Sequence, residues 1–263
     1  MSASVQRTDD YTAFCEAIRR LCQVDLLQYK RTQMERRIRT FAQRRGIADL
    51  GEYGRLLRGD AAELEAFLDR MTINVSQLWR NPEQWAVLAD AVLPELAQGG
   101  RVRAWSAGSS YGAEAYTLAA VAKEAVPRAR VTIKGTDIDR RMVERAREGR
   151  FGAEDARTAP RASLDRWFVP DGRGFRAKDE LRAIVSFEVG DLLRMRVAPA
   201  ALDLVLCRNT VIYFTDDVRD ALHARLAAAL RPGGYLVVGA TERVTSPATL
   251  GLVPTHPFTY RKG

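Results

Sequence analysis

Histidine is almost missing from this chain. His223 and His256 are the only two in 263 residues, which argues against a His-based metal centre. Cysteine is nearly as scarce: Cys15, Cys22 and Cys207 are an odd number with no Cys-x-x-Cys and no metal spacing. A reduced, cytoplasmic protein is the expectation from such usage. Cys15 and Cys22, seven apart on one helix face, read as packing residues. No apolar run approaches the roughly 20 residues that span a bilayer, and the opening MSASVQRTDD has no apolar core of a signal peptide. Carboxylates are also in deficit, 33 against 41 Lys and Arg, leaving a net charge of +8. A basic protein recruits acidic partners, of which nucleic acid is the commonest.

What is present is an ordinary soluble balance, 46% hydrophobic and 28% charged, in a chain long enough for one large domain or two modest ones. Residues 1–72 read as all-helical, with helices over about 10–23, 29–45, 50–57 and 61–70, and with Gly46 and Gly59 as stops. The second of these, YKRTQMERRIRTFAQRR over 29–45, carries seven cationic side chains and one carboxylate. Met34, Ile38 and Phe41 give it an apolar stripe, so its arginines project around the remaining faces. Aromatics that stack bases are scarce there, which favours an acidic protein surface over single-stranded nucleic acid. MTINVSQLWR over 71–80 reads as an extended connector, and Asn81-Pro82-Glu83 opens a helix that turns Trp85, Leu88 and Val92 inward.

From Arg101 the pattern alternates: strand 102–106, helix 113–124, strand 131–136, helix 139–148. Such alternation predicts a parallel α/β sheet. An antiparallel excursion at 166–189 interrupts it, around an Asp171-Gly172 turn. Then DLVLCRNTVIYFTDDVRDALHARLAAALRPGGYLVVG, 203–239, gives strand, helix, Pro-Gly-Gly turn and strand, half of a doubly wound fold. Ligands bind such sheets at the carboxyl ends of the strands, where Arg208, Asn209 and Tyr213 sit. The first strand-to-helix junction, WSAGSSYGAE over 105–114, lets a ligand approach the backbone at Gly108. It has neither the Gly-x-Gly-x-x-Gly spacing nor a Gly-Lys-Ser/Thr ending, so a dinucleotide or triphosphate is not indicated. Glu114, one turn into the helix, repels phosphate and attracts a cation such as an α-amino group. Asp137, at the tip of the second strand, is placed for both hydroxyls of a ribose. A cationic nucleoside without phosphate fits, and S-adenosylmethionine (SAM) answers that description where NAD does not.

Four segments then carry a resemblance: TINVSQLWRN at 72–81, WSAGSSYGAEAYTLA at 105–119, GTDIDRRMVERAREGRF at 135–151, and LCRNTVIYF with its RPGGYLVVGATE continuation. Their order and spacing resemble the CheR family of chemotaxis receptor methyltransferases over nearly the whole chain. The resemblance implies an all-helical N-terminal domain (1–72), a linker with its helix (73–92), and a Rossmann-like SAM-dependent methyltransferase domain (93–263) bearing a small antiparallel β-subdomain (about 166–189). It implies methyl esterification of glutamates on the cytoplasmic helices of chemoreceptors, with SAM turned into S-adenosylhomocysteine. By motif, the cofactor contacts would be Asn74, Ser76, Arg80, Gly108, Glu114, Asp137, Asp191, Leu192, Asn209 and Thr210. Arg80 and Tyr213 would stand nearest the transferred methyl, and Arg36, Arg37 and Arg39 would meet the acidic receptor surface. The expected enzyme is a cytoplasmic monomer with no nucleic-acid partner and no membrane insertion. Departures from the family pattern are Ala113 and Ala115 around Glu114, Leu78-Trp79 where two Phe are common, and Asp191 where Asn is usual. A shortened excursion over 167–189 predicts an enzyme that does not depend on a receptor's C-terminal tether peptide.

Overall fold

Asp9 starts the first helix by accepting the Thr12 N–H at 3.1 Å, which satisfies one of the unpaired amides of a helix start. In this computed structural model, residues 9–71 and 76–263 are described. They gather into two units, one built on residues 9–71 with 213–216, the other on 76–212 with 217–263.

The first unit holds α1 (Asp10–Cys22), α2 (Arg31–Gln43), α3 (Leu50–Gly59) and α4 (Ala61–Met71). The predicted stripe of α2 is buried at Met34, Ile38 and Phe41. It meets an aromatic core in which Phe14, Phe41, Tyr53 and Phe67 pack with ring centroids 5.8–6.5 Å apart. Such pairs add to the burial of large apolar area. Tyr53 is fully buried, and its hydroxyl donates to Glu63 at 3.0 Å. Cys15 is enclosed in the same region, where burial pushes its thiol up to about 12. Residues 213–216 return to this unit: Phe214 packs on Tyr29, and Lys30 N–H donates to the Tyr213 carbonyl at 2.9 Å.

The second unit opens with α5 (Pro82–Val87), after Asn81 turns into the left-handed region at φ 58°. The helix then widens to a π-turn over Leu88–Val92 before α6 (Leu93–Leu96). Pro94 explains the widening: it lacks an N–H, and its ring crowds the carbonyl four residues back, so the turn loosens ahead of it. The alternation follows as β1 (Arg101–Ala107), α7 (Ala113–Ala125), β2 (Arg130–Asp137) and α8 (Arg140–Glu148). Next come β3 (Arg150–Gly152), α9 (Arg161–Trp167), β4 (Phe168–Asp171), β5 (Gly174–Ala177), α10 (Asp179–Arg182) and β6 (Val185–Val189). The chain closes with β7 (Leu202–Cys207), α11 (Asp216–Ala229), β8 (Leu230–Val238), β9 (Leu252–His256) and β10 (Thr259–Lys262).

Seven strands form one sheet in the order β6-β2-β1-β7-β8-β10-β9, parallel except for β10, which runs antiparallel to both neighbours. α7 is buried at every residue from Ala113 to Ala122, so its small side chains let it lie flat on the sheet.

The excursion over 166–189 needs correction. A small antiparallel sheet exists, ordered β3-β5-β4, but it draws in Arg150–Gly152 and ends at Ala177. Val185–Val189 belongs instead to the large sheet, parallel to β2 in the register Ile133↔Val185. The crossover from β2 through α8 reaches its strand only after the small sheet has been inserted, which hides the βαβ unit from local pattern.

Candidate active site

Four adjacent strands, β6, β2, β1 and β7, deliver their carboxyl ends to one edge of the sheet. β1 is central: the chain leaves it toward β2 on one side, while β7 lies on the other. This is the switch point at which doubly wound sheets open a crevice.

The loop after β1 is tied down first. Gly108 and Ser109 both donate their N–H to the Thr136 carbonyl at 2.9 Å, and Ser110 donates to Asp137 Oδ2 at 2.7 Å. Asp137 Oδ1 accepts the Asp139 N–H at 3.0 Å. The Asp137 side chain is therefore fixed at the tip of β2. Burial pushes its carboxyl up, and the backbone amides oppose that shift. Gly108 sits at φ +81°, and a Cβ there would lie 2.5 Å from Thr210 Oγ1. Only glycine lets this loop come so close to the one after β7. The hydroxyls of Ser109 and Ser110 are buried and have no hydrogen-bond partner, although a buried polar atom normally has one.

Glu114 stands in the first turn of α7, 8% exposed. Its Oε1 accepts from the Ser106 hydroxyl at 2.8 Å, and its Oε2 from Arg208 Nη1 at 3.2 Å. Burial pushes the Glu114 carboxyl up and the Arg208 guanidinium down, while their mutual attraction opposes both shifts. Arg208 is the hub of this region. Nε donates to Gln84 Oε1 at 2.9 Å, and Nη2 donates to the Arg80 carbonyl at 2.6 Å. Its guanidinium also lies 4.9 Å from the Trp85 ring centre. Arg208 thus joins the end of β7 to the 80–84 segment and to α7 in one buried network.

Glu242, 3% exposed, fixes the other side of the crevice. One carboxylate oxygen accepts from Asn209 N and Gly239 N, each at 2.7 Å, and the other from Val211 N at 3.0 Å and Ile212 N at 3.2 Å. Four backbone amides on a single carboxylate hold the 209–212 loop against the end of β8, with Asn209 in the left-handed region at φ 58°.

Of the residues read from sequence, Gly108, Glu114, Asp137, Asp191, Leu192, Asn209 and Thr210 all follow those four strands. Asp191 caps its own loop by accepting Leu193 N–H at 2.8 Å, and Leu192 is buried. Ser76 and Arg80 enter through their backbone carbonyls, which accept from the Tyr111 hydroxyl and from Arg208 respectively. Asn74 lies outside the described residues. Tyr213 ends a 3-10 turn, Val211–Tyr213, and belongs by its contacts to the first unit. Arg39 forms ion pairs with Glu35 at 2.8 Å and Asp10 at 2.9 Å, whereas Arg36 and Arg37 line a pocket with Arg44 and Arg70. Sequence reasoning missed three site-building residues. Arg208 was seen only as a strand end, and Gln84 and Glu242 carried no local signal beyond lying in or beside quoted motifs.

The donor set fits SAM. A buried carboxylate one turn into a helix suits a cationic amino group, a second at the tip of β2 suits a ribose, and two buried hydroxyls still lack partners. Nothing here cradles a phosphate. Among the described residues no cluster of three His, Cys, Asp or Glu is arranged to hold a metal ion.

Comparison with known proteins carries the same reading. The family profile described as CheR methyltransferase, SAM binding domain, matches residues 74–257, and its all-alpha domain matches residues 9–72. A chemotaxis protein methyltransferase of Listeria innocua is 33% identical over 255 residues, covering 96% of this chain and 97% of the relative. Chemotaxis protein methyltransferase 1 of Vibrio cholerae is 30% identical over 255 residues, with 93% of each chain covered. The counterpart from Pseudomonas aeruginosa is 31% identical over 249 residues, covering 90% and 91%. With both profiles in register and relatives aligned almost end to end, this chain belongs to the CheR methyltransferase family, whose cofactor is SAM.

Proposed function

We propose that the chain esterifies glutamate side chains on the cytoplasmic helices of chemoreceptors, acting as a cytoplasmic monomer without nucleic acid. The observation that carries the reading is the pair of buried carboxylates, Glu114 in the first turn of α7 and Asp137 at the end of β2, beside partnerless serine hydroxyls. That arrangement suits a cationic nucleoside, and family membership supplies the class of acceptor. When bound, SAM supplies a methyl group made electrophilic by its sulfonium.

The roles of this chain's residues follow. Glu114 holds the amino group and Asp137 the ribose hydroxyls; Asp191 and Leu192 flank the adenine, and Gly108, Asn209 and Thr210 complete the walls. Asn74 and Ser76 add contacts from the linker. Arg80 orients the incoming carboxylate, and Tyr213 hydrogen-bonds the same oxygen. No residue need remove a proton, because a glutamate carboxyl with a pKa of about 4.3 is already ionised at neutral pH. This suits a chain whose two histidines lie elsewhere, His223 enclosed in α11 and His256 in β9. Exclusion of water favours a reaction that consumes opposite charges, and alignment does most of the remaining work. Arg80 must hold the carboxylate loosely, since tight ground-state binding slows transfer. The hairpin between β4 and β5 turns in two residues, Gly172 and Arg173, a short protrusion that supports tether-independent action.

The test is incubation with methyl-labelled SAM and a receptor cytoplasmic fragment. Label that alkali releases as methanol, and that is lost in Arg80→Ala, is the expected result. Absence of label while SAM still binds would send the search to another acceptor, and label that resists alkali would exclude an ester.

A further inference from the structure

The cations of α2 do not form one uniform face. Arg31 pairs with Asp9 and Glu35, each at 3.0 Å, Arg39 with Glu35 and Asp10, and Arg45 with Glu63 at 2.6 Å. Arg36, Arg37 and Arg44 instead converge with Arg70 of α4 on a hollow of about 130 Å³, completed by Thr40 and Phe41. Among the described residues no carboxylate lines it. Arg37 is half-buried, and its Nη2 donates to the Arg70 carbonyl at 2.5 Å. Phe41 is braced from another side by Arg45, whose guanidinium lies 3.9 Å from the ring centre. Arg37 and Phe41 are thus held in place, while Arg36, Arg44 and Arg70 are exposed around them.

Four like charges around one small space repel, and an anion among them removes that cost. Its chemistry can be narrowed. A single carboxylate brings one charge and two oxygens, too few for four guanidiniums. A dicarboxylate such as succinate carries its two groups on opposite ends of a flexible chain and cannot concentrate them at one point. A phosphoryl group brings close to two charges and three terminal oxygens, and guanidinium forks bind such oxygens in pairs. We propose that the Arg36–Arg37–Arg44–Arg70 hollow binds the phosphoryl group of a small soluble phosphate compound. We further infer that its occupation competes with the acidic protein substrate for α2. The binding goes beyond the methyl-transfer reading; the competition rests on it.

Inorganic phosphate and pyrophosphate are the probes, because neither carries an adenine to enter the nucleoside site. Calorimetric titration of the whole chain at about 150 mM salt is expected to show one saturable pyrophosphate site. Succinate should bind at least ten-fold more weakly. Arg44→Gln combined with Arg70→Gln should weaken pyrophosphate at least ten-fold, and Arg44→Gln alone serves if the double variant melts early. Pyrophosphate should raise the KM for a receptor fragment and leave kcat and SAM affinity unmoved. Heats that do not saturate, succinate binding as well as pyrophosphate, or variants with unchanged affinity would overturn the site. An unmoved fragment KM would overturn the competition. The two readings fail separately. If Arg36→Glu and Arg37→Glu impair fragment methylation while pyrophosphate never binds, only this inference falls. If pyrophosphate binds and no fragment is methylated, the substrate reading falls and takes the competition with it, while the phosphoryl site stands.

Discussion

A single side chain, Glu242, carries more of the active-site geometry than its position suggests. It accepts four backbone amides and so sets the path of Asn209, Thr210 and Val211 beside the cofactor crevice. Glu242→Gln keeps one oxygen but points an NH2 group at two of those amides, leaving them unsatisfied in a buried place. Each such loss costs roughly 1–3 kcal/mol. Glu242→Gln is therefore expected to lose about 2–4 kcal/mol in urea unfolding and to bind SAM about ten-fold more weakly, by calorimetry. Unchanged SAM affinity would restrict Glu242 to a purely structural role. The positions of Glu114 and Asp137 were legible in the sequence, because a strand-to-helix junction leads into the first and a strand ends at the second. Glu242 was not, because its partners lie up to 33 residues earlier and no periodicity links them. Arg208 was half legible: its place at a strand end could be read, but its reach to Gln84 and Glu114 depends on the fold.

At the scale of elements, α11 holds a buried weakness. His223 is fully enclosed, and both ring nitrogens lack partners. Burial pushes its pKa down to about 4; Asp220 pulls upward and Arg219 adds to the depression. In the unfolded chain the imidazole takes a proton near pH 6.5. Between those values the unfolded state holds a proton that the native state does not, so stability falls as pH drops from about 6.5 to about 4 and then levels off. The loss from this one group reaches about 3 kcal/mol. Urea unfolding of wild type and His223→Leu, followed from pH 7.5 to 4, is expected to show the variant gaining on wild type throughout that window. A pH-independent difference would show that the ring is not the source. The elements themselves were largely legible, since helix stripes and strand runs recur where the structure places them. Three features were not. The π-turn over Leu88–Val92 follows a continuous helical pattern, and only Pro94 hints at it. The strand Val185–Val189 was masked by the insertion ahead of it. The hairpin of β9 and β10 has Pro254 in its first strand and Pro257 in its turn, so its short runs lack a clean alternation.

At the scale of the molecule, the excess of eight positive charges is the property that most constrains its partners. Many of the individual cations are paired locally, as where Arg103 and Arg231 share Asp203 and Arg261 pairs with Glu95. In the first unit, Arg36, Arg37, Arg44 and Arg70 gather around a hollow that no carboxylate among the described residues lines. A glutamate-rich helix docked there would gain its attraction mainly across solvent, so the effect must fade as the Debye length shortens from about 10 Å at 0.1 M salt to about 3 Å at 1 M. Reversing Arg36 and Arg37 to Glu is accordingly expected to raise the KM for a receptor fragment about ten-fold or more at low salt. At 0.5 M salt the penalty should shrink to a few-fold. SAM affinity should stay level, because the residues proposed to hold the cofactor belong to the other unit. The proposed chemistry adds a consequence, since a glutamyl methyl ester carries one negative charge fewer than the glutamate and so would weaken the hold on the product. Fragments with more of their glutamates replaced by glutamine should then show a rising KM with wild type and a flatter trend with the reversed variant. Parallel trends in the two enzymes would place docking somewhere other than α2.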